Sequence, residues 1–569
     1  MEDHLRHRKP GFKILITLFF LTLLIRVWAA SLISTPRALD ECYYFSVARN
    51  LVSENSFISN IKWTYIDGTD INLPAPSNRL WMPGASILMA LSMKMFGSDY
   101  RGAQVLIIFL SALFPVIVFY VSSYVLSCSI RRYTVWALMV ITPWYFLYWS
   151  SLDNFALYGA SAFCGLTFFW HAGKLIINKP LKGLLWAGLA GLFSGSAHLC
   201  RADGGIVLFS GIFYIFGLFL VKIFKKKLDI QQVYFKKYMY SFILLILTTL
   251  VFYLFVMGPW FYRNFNVFGE IMSSSAQKTI FLEKYNQMFY YSDYPGPEKF
   301  FSNGIYGLIK LKIPDFKKIA AFMFAAVFFW ILIPFFIGSI FYDTKKLFSG
   351  KSVFNLFYHF WKDPMAVHFI YFFLSFTVIS LIFTKPAVHG TLWHTSAAWL
   401  PLIIIISVKG FSKLFFMLNR KNKISKSELK KSIILTSVVT VCSGLLLCIL
   451  YTDRLLSNWT GEFNLHRKAA HEIAVHIDLI KNFSQKDLII SSAPGLSYYL
   501  TGYNCIQLPL DGIDSIKKII VKTLPAYVIA PPDKIDEIIK MSPEKICFSK
   551  LIEYKGKSLR IIGYNNLMN

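Results

Sequence analysis

Charge is scarce in this chain. Asp, Glu, Lys and Arg make up 16% of its 569 residues, where a soluble domain carries about a quarter. Acids are the rarer kind, 31 Asp and Glu against 59 Lys and Arg. That shortage excludes an ordinary soluble globular protein. The eight cysteines show no metal-ligand spacing, which removes the usual argument for a cysteine-built metal site. Cys505 and Cys547 share the C-terminal tail, where they suit either a disulfide or two free thiols. The tail has no glycine-rich phosphate loop, so no nucleotide is assigned to it. No nucleophilic triad or metal cage is recognisable along the chain, and neither a metal nor a cofactor is expected.

Apolar residues fill the space that charge leaves, at 55% hydrophobic and 17% aromatic. A span needs roughly 20 apolar residues, and on that rule about eleven are expected. They fall near 12–33, 103–126, 133–150, 154–173, 183–199, 205–221, 240–258, 319–341, 366–384, 395–411 and 432–450. No small-residue cleavage site separates the first from Asp40, so it is read as a retained span. The net charge of +28 is spread over alternate loops, at 6–13, 131–132, 174–182, 222–237, 345–362 and 409–431. An inside N-terminus puts all of these in the cytoplasm, as the positive-inside rule requires. The excess is therefore a topology signal rather than a nucleic-acid surface, with anionic headgroups as a secondary partner.

The same topology places outside the membrane a long first loop (34–102), the turns 151–153 and 200–204, the segments 259–318 and 385–394, and the tail after 451. In the first loop, 41–53 has a helical apolar stripe and 81–96 is apolar with Pro-Gly near its start. Both are expected to be helices on the outer membrane surface. In the tail, the runs Leu488–Ser491, Tyr527–Ala530 and Leu559–Ile562 alternate with charged helix-like stretches, which predicts a small α/β domain. The expected division is a transmembrane domain over 1–455 and an extracytoplasmic α/β domain over 456–569.

Because acids are few, those at outer span ends stand out. Asp40 and Glu41 suit two roles: a general base for an acceptor hydroxyl, or helix capping and dipole complementation. Asp153 lies on the same side, in a turn where a solvated acid is the plain alternative. Arg201 and Asp203 can form a local ion pair, or the guanidinium can face a phosphate. Arg263, in Gly258-Pro-Trp-Phe-Tyr-Arg-Asn264, suits either snorkelling beside interface aromatics or phosphate contact. Lys385, His389 and His394 suit headgroup contact or the same anion. Outer acids beside outer cations fit a reaction whose leaving group is an anionic lipid phosphate.

At this point the chain resembles the GT-C class of membrane glycosyltransferases. The nearest likeness is to bacterial protein O-mannosyltransferase-like (glycosyltransferase 39 type) and lipid A aminoarabinose transferase relatives. The residues that carry it are Leu39-Asp-Glu-Cys-Tyr-Tyr-Phe-Ser-Val-Ala48, the Pro-Gly stretch ending Met95-Phe-Gly97, Leu152-Asp153, Arg201-Ala-Asp203, Pro259-Trp-Phe-Tyr-Arg-Asn264 and Gly390-Thr-Leu-Trp-His394. They run in order and spacing over roughly residues 10–450. The resemblance implies a polytopic α-helical membrane protein that moves a sugar from a polyprenyl-phosphate donor to a glycan, lipid or protein acceptor on the outer face. It implies Asp40 as base, with Glu41 and Asp153 assisting. Arg201 and Arg263, with Lys385, His389 and His394, would serve the donor phosphate. It also implies a bacterial inner (plasma) membrane, with the C-terminal domain periplasmic or extracellular. The tail is not a β-trefoil and the double-tryptophan motif of oligosaccharyltransferases is absent, so the likeness leaves open whether the acceptor is a peptide and whether the sugar is mannose. The rival is a lipid-linked sugar flippase or transporter, which would bury its charges mid-span. Here the spans are mostly clean.

Overall fold

The computed structural model describes residues 9–225, 232–272, 274–292, 296–348, 353–382, 390–418, 425–480, 488–541 and 543–564. Helix α1 (Phe12–Ser31) is largely apolar, and its Arg26 is fully buried. A buried cation is costly unless it is hydrogen-bonded. Arg26 donates to the carbonyls of Met139 and Phe146, at 3.3 and 3.4 Å.

The first outer loop holds α2 (Leu39–Ser53), short strands β1 (Ile58–Ser59), β2 (Ile61–Lys62) and β3 (Ala75–Pro76), and α3 (Gly84–Phe96). The helices expected there are present, but α2 does not lie half in lipid. Residues Glu41 to Ala48 are all buried, because α3 packs on one side of α2 and part of the C-terminal region on another.

Next come α4 (Tyr100–Ser122) and α5 (Ser129–Val140). The span expected at 133–150 is broken. A 12-residue helix reaches only about 18 Å at 1.5 Å per residue, short of the roughly 30 Å core. Pro143 follows closely and turns the chain into 3₁₀ turns at Pro143–Tyr145 and Tyr148–Ser150, since proline disfavours helix just before it. The Arg26 guanidinium therefore satisfies carbonyls that this break releases from the helical ladder.

Helices α6 (Phe155–Leu175), α7 (Pro180–Cys200), α8 (Gly205–Lys225) and α9 (Gln232–Phe268) follow. They meet through small residues, the usual device where lipid removes a hydrophobic drive between helices. A Cβ on Gly191 of α7 would stand 2.2 Å from the Thr249 carbonyl of α9, so only glycine permits that approach.

Beyond α9 are α10 (Ser274–Lys278), α11 (Pro297–Phe301), α12 (Gly304–Phe322), α13 (Ile333–Phe348), α14 (Val353–Lys362), α15 (Ala366–Thr377), α16 (Thr391–Ser396) and α17 (Leu400–Leu418). The span expected at 319–341 is interrupted. A π-turn at Met323–Val327 ends α12, and Phe329 and Trp330 take left-handed φ values of 51° and 58° before α13 resumes. Among the described residues six helices are long and apolar enough to cross a bilayer: Phe12–Ser31, Tyr100–Ser122, Pro180–Cys200, Ala202–Ile223, Tyr238–Phe268 and Ser427–His476.

The last of these belongs to α18 (Lys426–Ile480), 55 residues long, so the division expected at 455/456 falls inside a continuous helix. The tail then builds β4 (Leu488–Ser491), α19 (Pro494–Thr501), β5 (Asn504–Gln507), α20 (Ile513–Thr523), β6 (Tyr527–Ala530), α21 (Pro532–Met541), β7 (Ile546–Tyr554) and β8 (Lys557–Tyr564). The sheet order is β2-β5-β4-β6-β8-β7, parallel from β2 to β6 and antiparallel beyond. Its first strand comes from the first outer loop, with Ile61 opposite Cys505. Leu465, Ala469 and Ile473 of α18 cover one face, while α20 and α21 cover the other. Helix α19 closes on α2 so tightly that a Cβ on Gly495 would lie 2.8 Å from that of Cys42. Cys505 and Cys547 are unbonded thiols.

Candidate active site

Three side chains from three separate elements converge at one end of the bundle. Asp40 stands in the first turn of α2, where an acid complements the helix dipole. Asp153 closes the turn before α6 and accepts from the Asn154 backbone N–H at 2.6 Å. His394 lies in α16, whose start at Gly390 needs a φ of 119° that glycine adopts without strain. The His394 Nε2 is 3.3 and 3.4 Å from the two Asp153 carboxylate oxygens and 3.7 Å from Asp40 Oδ2. Its ring stacks on Phe155, with centroids 4.2 Å apart and planes 17° apart.

The tautomer follows from the other ring nitrogen. Nδ1 is 2.6 Å from the Gly390 carbonyl, which can only accept, so Nδ1 carries a proton and donates. Nε2 then faces two carboxylates, and a bare lone pair there would be repelled. Either a proton or a cation belongs between them. Burial disfavours the imidazolium, but Asp153 and then Asp40 outweigh it and hold the His394 pKa above its ordinary value. The ligand-type atoms of Asp40, Asp153 and His394 all lie within 4.8 Å of one another. Two carboxylates and an imidazole suit a divalent cation. No metal was expected from sequence spacing, yet a donor set that fits one is assembled here by the fold.

Beside the cluster opens a cavity of about 480 Å³ lined by Asp40, Tyr44, Asn154, Arg201, Tyr285 and His394 among others. Trp63 and Trp81, stacked with centroids 3.9 Å apart, form part of its wall. Arg201 donates from Nε to Asp203 at 2.8 Å and from Nη2 to the Thr391 carbonyl at 3.4 Å, and neither contact uses Nη1. Asp203 also accepts from the Thr395 hydroxyl. The local ion pair and the cavity-facing guanidinium are thus the same arrangement.

The remaining expected residues are placed elsewhere. Glu41 is fully buried and does not line the cavity. Its Oε2 accepts from the Arg37 backbone N–H at 3.1 Å. Burial, with Asp153 adding to it, pushes its pKa up to about 8, so it is mostly neutral near pH 7. Arg263 lies well inside α9, which continues to Phe268. Its guanidinium sits over Trp260 and Phe268, at 4.8 and 4.9 Å, and donates to the Phe57 carbonyl at 3.1 Å. It too is absent from the cavity lining. Lys385 and His389 lie outside the described residues.

Sequence reasoning missed Tyr44, Asn154 and Tyr285. Tyr44 is four residues after Asp40, hence on the same helical face, and Asn154 donates to its hydroxyl at 3.2 Å. Tyr285 comes from a loop that carried no signal.

No family model matches this chain, and no curated protein matches it. Solved structures do. ArnT from Cupriavidus metallidurans bound to undecaprenyl phosphate superposes with a TM-score of 0.58 at 11% identity, over 98% of this chain and 100% of that one. The Archaeoglobus fulgidus oligosaccharyltransferase in complex with Zn and sulfate gives 0.51 at 11% identity, over 94% and 72%. AglB from the same organism, with an inhibitory peptide and a dolichol-phosphate, gives 0.51 at 10% identity, over 98% and 75%. These are GT-C glycosyltransferases. The shared backbone course gives this chain the GT-C fold, as the sequence resemblance implied.

Proposed function

We propose that this GT-C-fold membrane protein is a glycosyltransferase that moves a sugar from a polyprenyl-phosphate donor to an acceptor hydroxyl on the outer face of the membrane. The observation that carries this reading is the joint lining of one cavity by the Asp40 carboxylate and the Arg201 guanidinium. Asp40 takes the proton of the acceptor O–H. The oxygen attacks the anomeric carbon, a new C–O bond forms, and the bond from that carbon to the phosphate oxygen breaks. The polyprenyl phosphate leaves with the electron pair, and Arg201 offers it a charge-assisted donor.

His394 and Asp153 orient Asp40 and set the charge around it. A divalent cation held by Asp40, Asp153 and His394 would supply further neutralisation of phosphate charge. Glu41 supports α2 from within and takes no proton from the acceptor. The basic loops support a cytoplasmic N-terminus, and the GT-C resemblance supports a bacterial inner membrane. The cavity and the sheet domain then face outward.

The test is transfer of radiolabelled sugar by the purified protein from a panel of polyprenyl-phosphate sugars, with nucleotide sugars in parallel. Product from a lipid-linked donor alone supports the reading. Product from nucleotide sugars alone would overturn it.

A further inference from the structure

Tyr285 and Met288 line the cavity beside Asp40, yet neither belongs to a bundle helix. They stand on a 3₁₀ turn, Tyr285–Phe289, between α10 and α11. The turn is braced from within, since the Gln287 side-chain oxygen accepts from the backbone N–H groups of Glu283 and Lys284, at 2.7 and 2.9 Å. Its other attachments come from two distant parts of the chain. The Met288 carbonyl accepts from the Thr64 hydroxyl at 2.7 Å and from the Tyr65 N–H at 3.3 Å.

The C-terminal sheet domain holds the rest. Leu510 N–H donates to the Phe289 carbonyl at 3.1 Å. One Asp511 carboxylate oxygen accepts from two successive backbone N–H groups, Tyr291 at 3.0 Å and Ser292 at 2.7 Å. The same oxygen takes the Ser515 hydroxyl at 2.7 Å, which ties the carboxylate to the first turn of α20.

The plain alternative is ordinary loop packing, in which any one contact is dispensable. Two features argue for more. The bonds to Asp511 are charge-assisted, roughly twice as strong as neutral ones, and they fall on backbone that no helix or strand supports. The turn they fix also presents a polar group at the reaction centre. The Asp40 charge reaches the Tyr285 phenol, and burial first and then that charge push its pKa up to about 12. The phenol therefore keeps its proton and stays a donor.

We propose that the C-terminal sheet domain completes the active site, with Asp511 as a positioning residue that holds the Tyr285 hydroxyl toward the substrate. Tyr285 donates to a substrate oxygen, and Asp511 acts through the segment that carries it. The role in transfer rests on the glycosyltransferase reading, whereas the tether is measurable without turnover.

The experiment pairs hydrogen–deuterium exchange with transfer assays on the full-length protein in nanodiscs. Asp511→Ala should speed exchange over 287–292 by about tenfold or more, while the amides of β4 and β6 keep wild-type rates. Asp511→Asn keeps an acceptor oxygen but loses the charge, so exchange there should rise about threefold. It decides the matter where Asp511→Ala fails to fold. In transfer, Tyr285→Phe should lose about tenfold, the worth of one hydrogen bond at the strong end. Asp511→Ala should lose at least as much, and the double variant no more than Asp511→Ala alone, because both changes remove the same contact. Wild-type exchange over 287–292 in the Asp511 variants would overturn the proposal, and so would additive losses in the double variant. Faster exchange in Asp511→Ala, without transfer by wild type from any lipid-phosphate sugar, would uphold the tether and overturn the transferase reading.

Discussion

Two charge clusters sit in different parts of the bundle, and they differ in what they face. One joins Lys409 to Asp343 at 3.1 Å and to Asp363 at 3.9 Å, with Lys413 also on Asp343. Two cations meet two acids, and none of the four lines the cavity beside Asp40. The other gathers Asp40, Asp153 and Asp203 around Arg201 and His394. The group opens onto a cavity of about 480 Å³. The same residue types face one another in one place and face an open cavity in the other. Charge in a membrane protein is thus read for function by what it faces.

The comparison can be broken by substitution. The largest expected effect is at Asp40. Asn there should cut sugar transfer by about 10²–10⁴-fold, the usual worth of a positioned base, with little loss of folded protein, measured as radiolabel transfer per folded molecule. Arg201→Ala should raise the donor KM by roughly tenfold or more while leaving the acceptor KM nearly unchanged, as removal of a charge-assisted phosphate contact predicts. Arg263→Ala, boxed among aromatics, should leave the donor KM within about twofold and lower thermal stability instead. Equal effects from the two arginines would dissolve the distinction between cavity-facing and packed cations.

Glu41 sharpens the comparison through pH. Its pKa is raised on folding to about 8, so the folded state holds a proton that the unfolded state releases above about pH 4.3. Stability from this group is therefore lost as pH rises from about 4.5 to about 8. Glu41→Gln should gain thermal stability over wild type across that window and match it at the acid end. The smallest effect belongs to the cluster away from the cavity. Asp343, 39% exposed, should cost on the order of 1 kcal/mol when changed to Asn, after allowing for solvent screening, with transfer per folded molecule unchanged.

Much of this architecture was legible because apolar runs and short strands have their own periods. The span expected at 12–33 is α1, that at 183–199 lies within α7, and the runs Leu488–Ser491 and Tyr527–Ala530 are β4 and β6. What escaped was interruption. Pro143 lies inside an apolar run, and the break after Met323–Val327 leaves no mark in hydropathy. The borrowing of β2 by the C-terminal sheet is a long-range pairing that no local pattern records. Asp40, Asp153, Arg201 and His394 could each be singled out, but not their convergence, which needs α2, the turn before α6 and α16 brought together. Helical geometry explains the divergence of Asp40 and Glu41. Consecutive helix residues point about 100° apart at 3.6 per turn, and here Asp40 lines the cavity while Glu41 turns into the protein interior.

The central claim is that the cavity-facing cluster does chemistry and the cluster away from the cavity does not. Its most direct test is sugar transfer per folded molecule by Asp40→Asn and Asp343→Asn, prepared side by side and fed the same polyprenyl-phosphate donor. The account predicts near-complete loss in the first and wild-type rates in the second. Retained transfer in Asp40→Asn, or an equal loss in both, would contradict it.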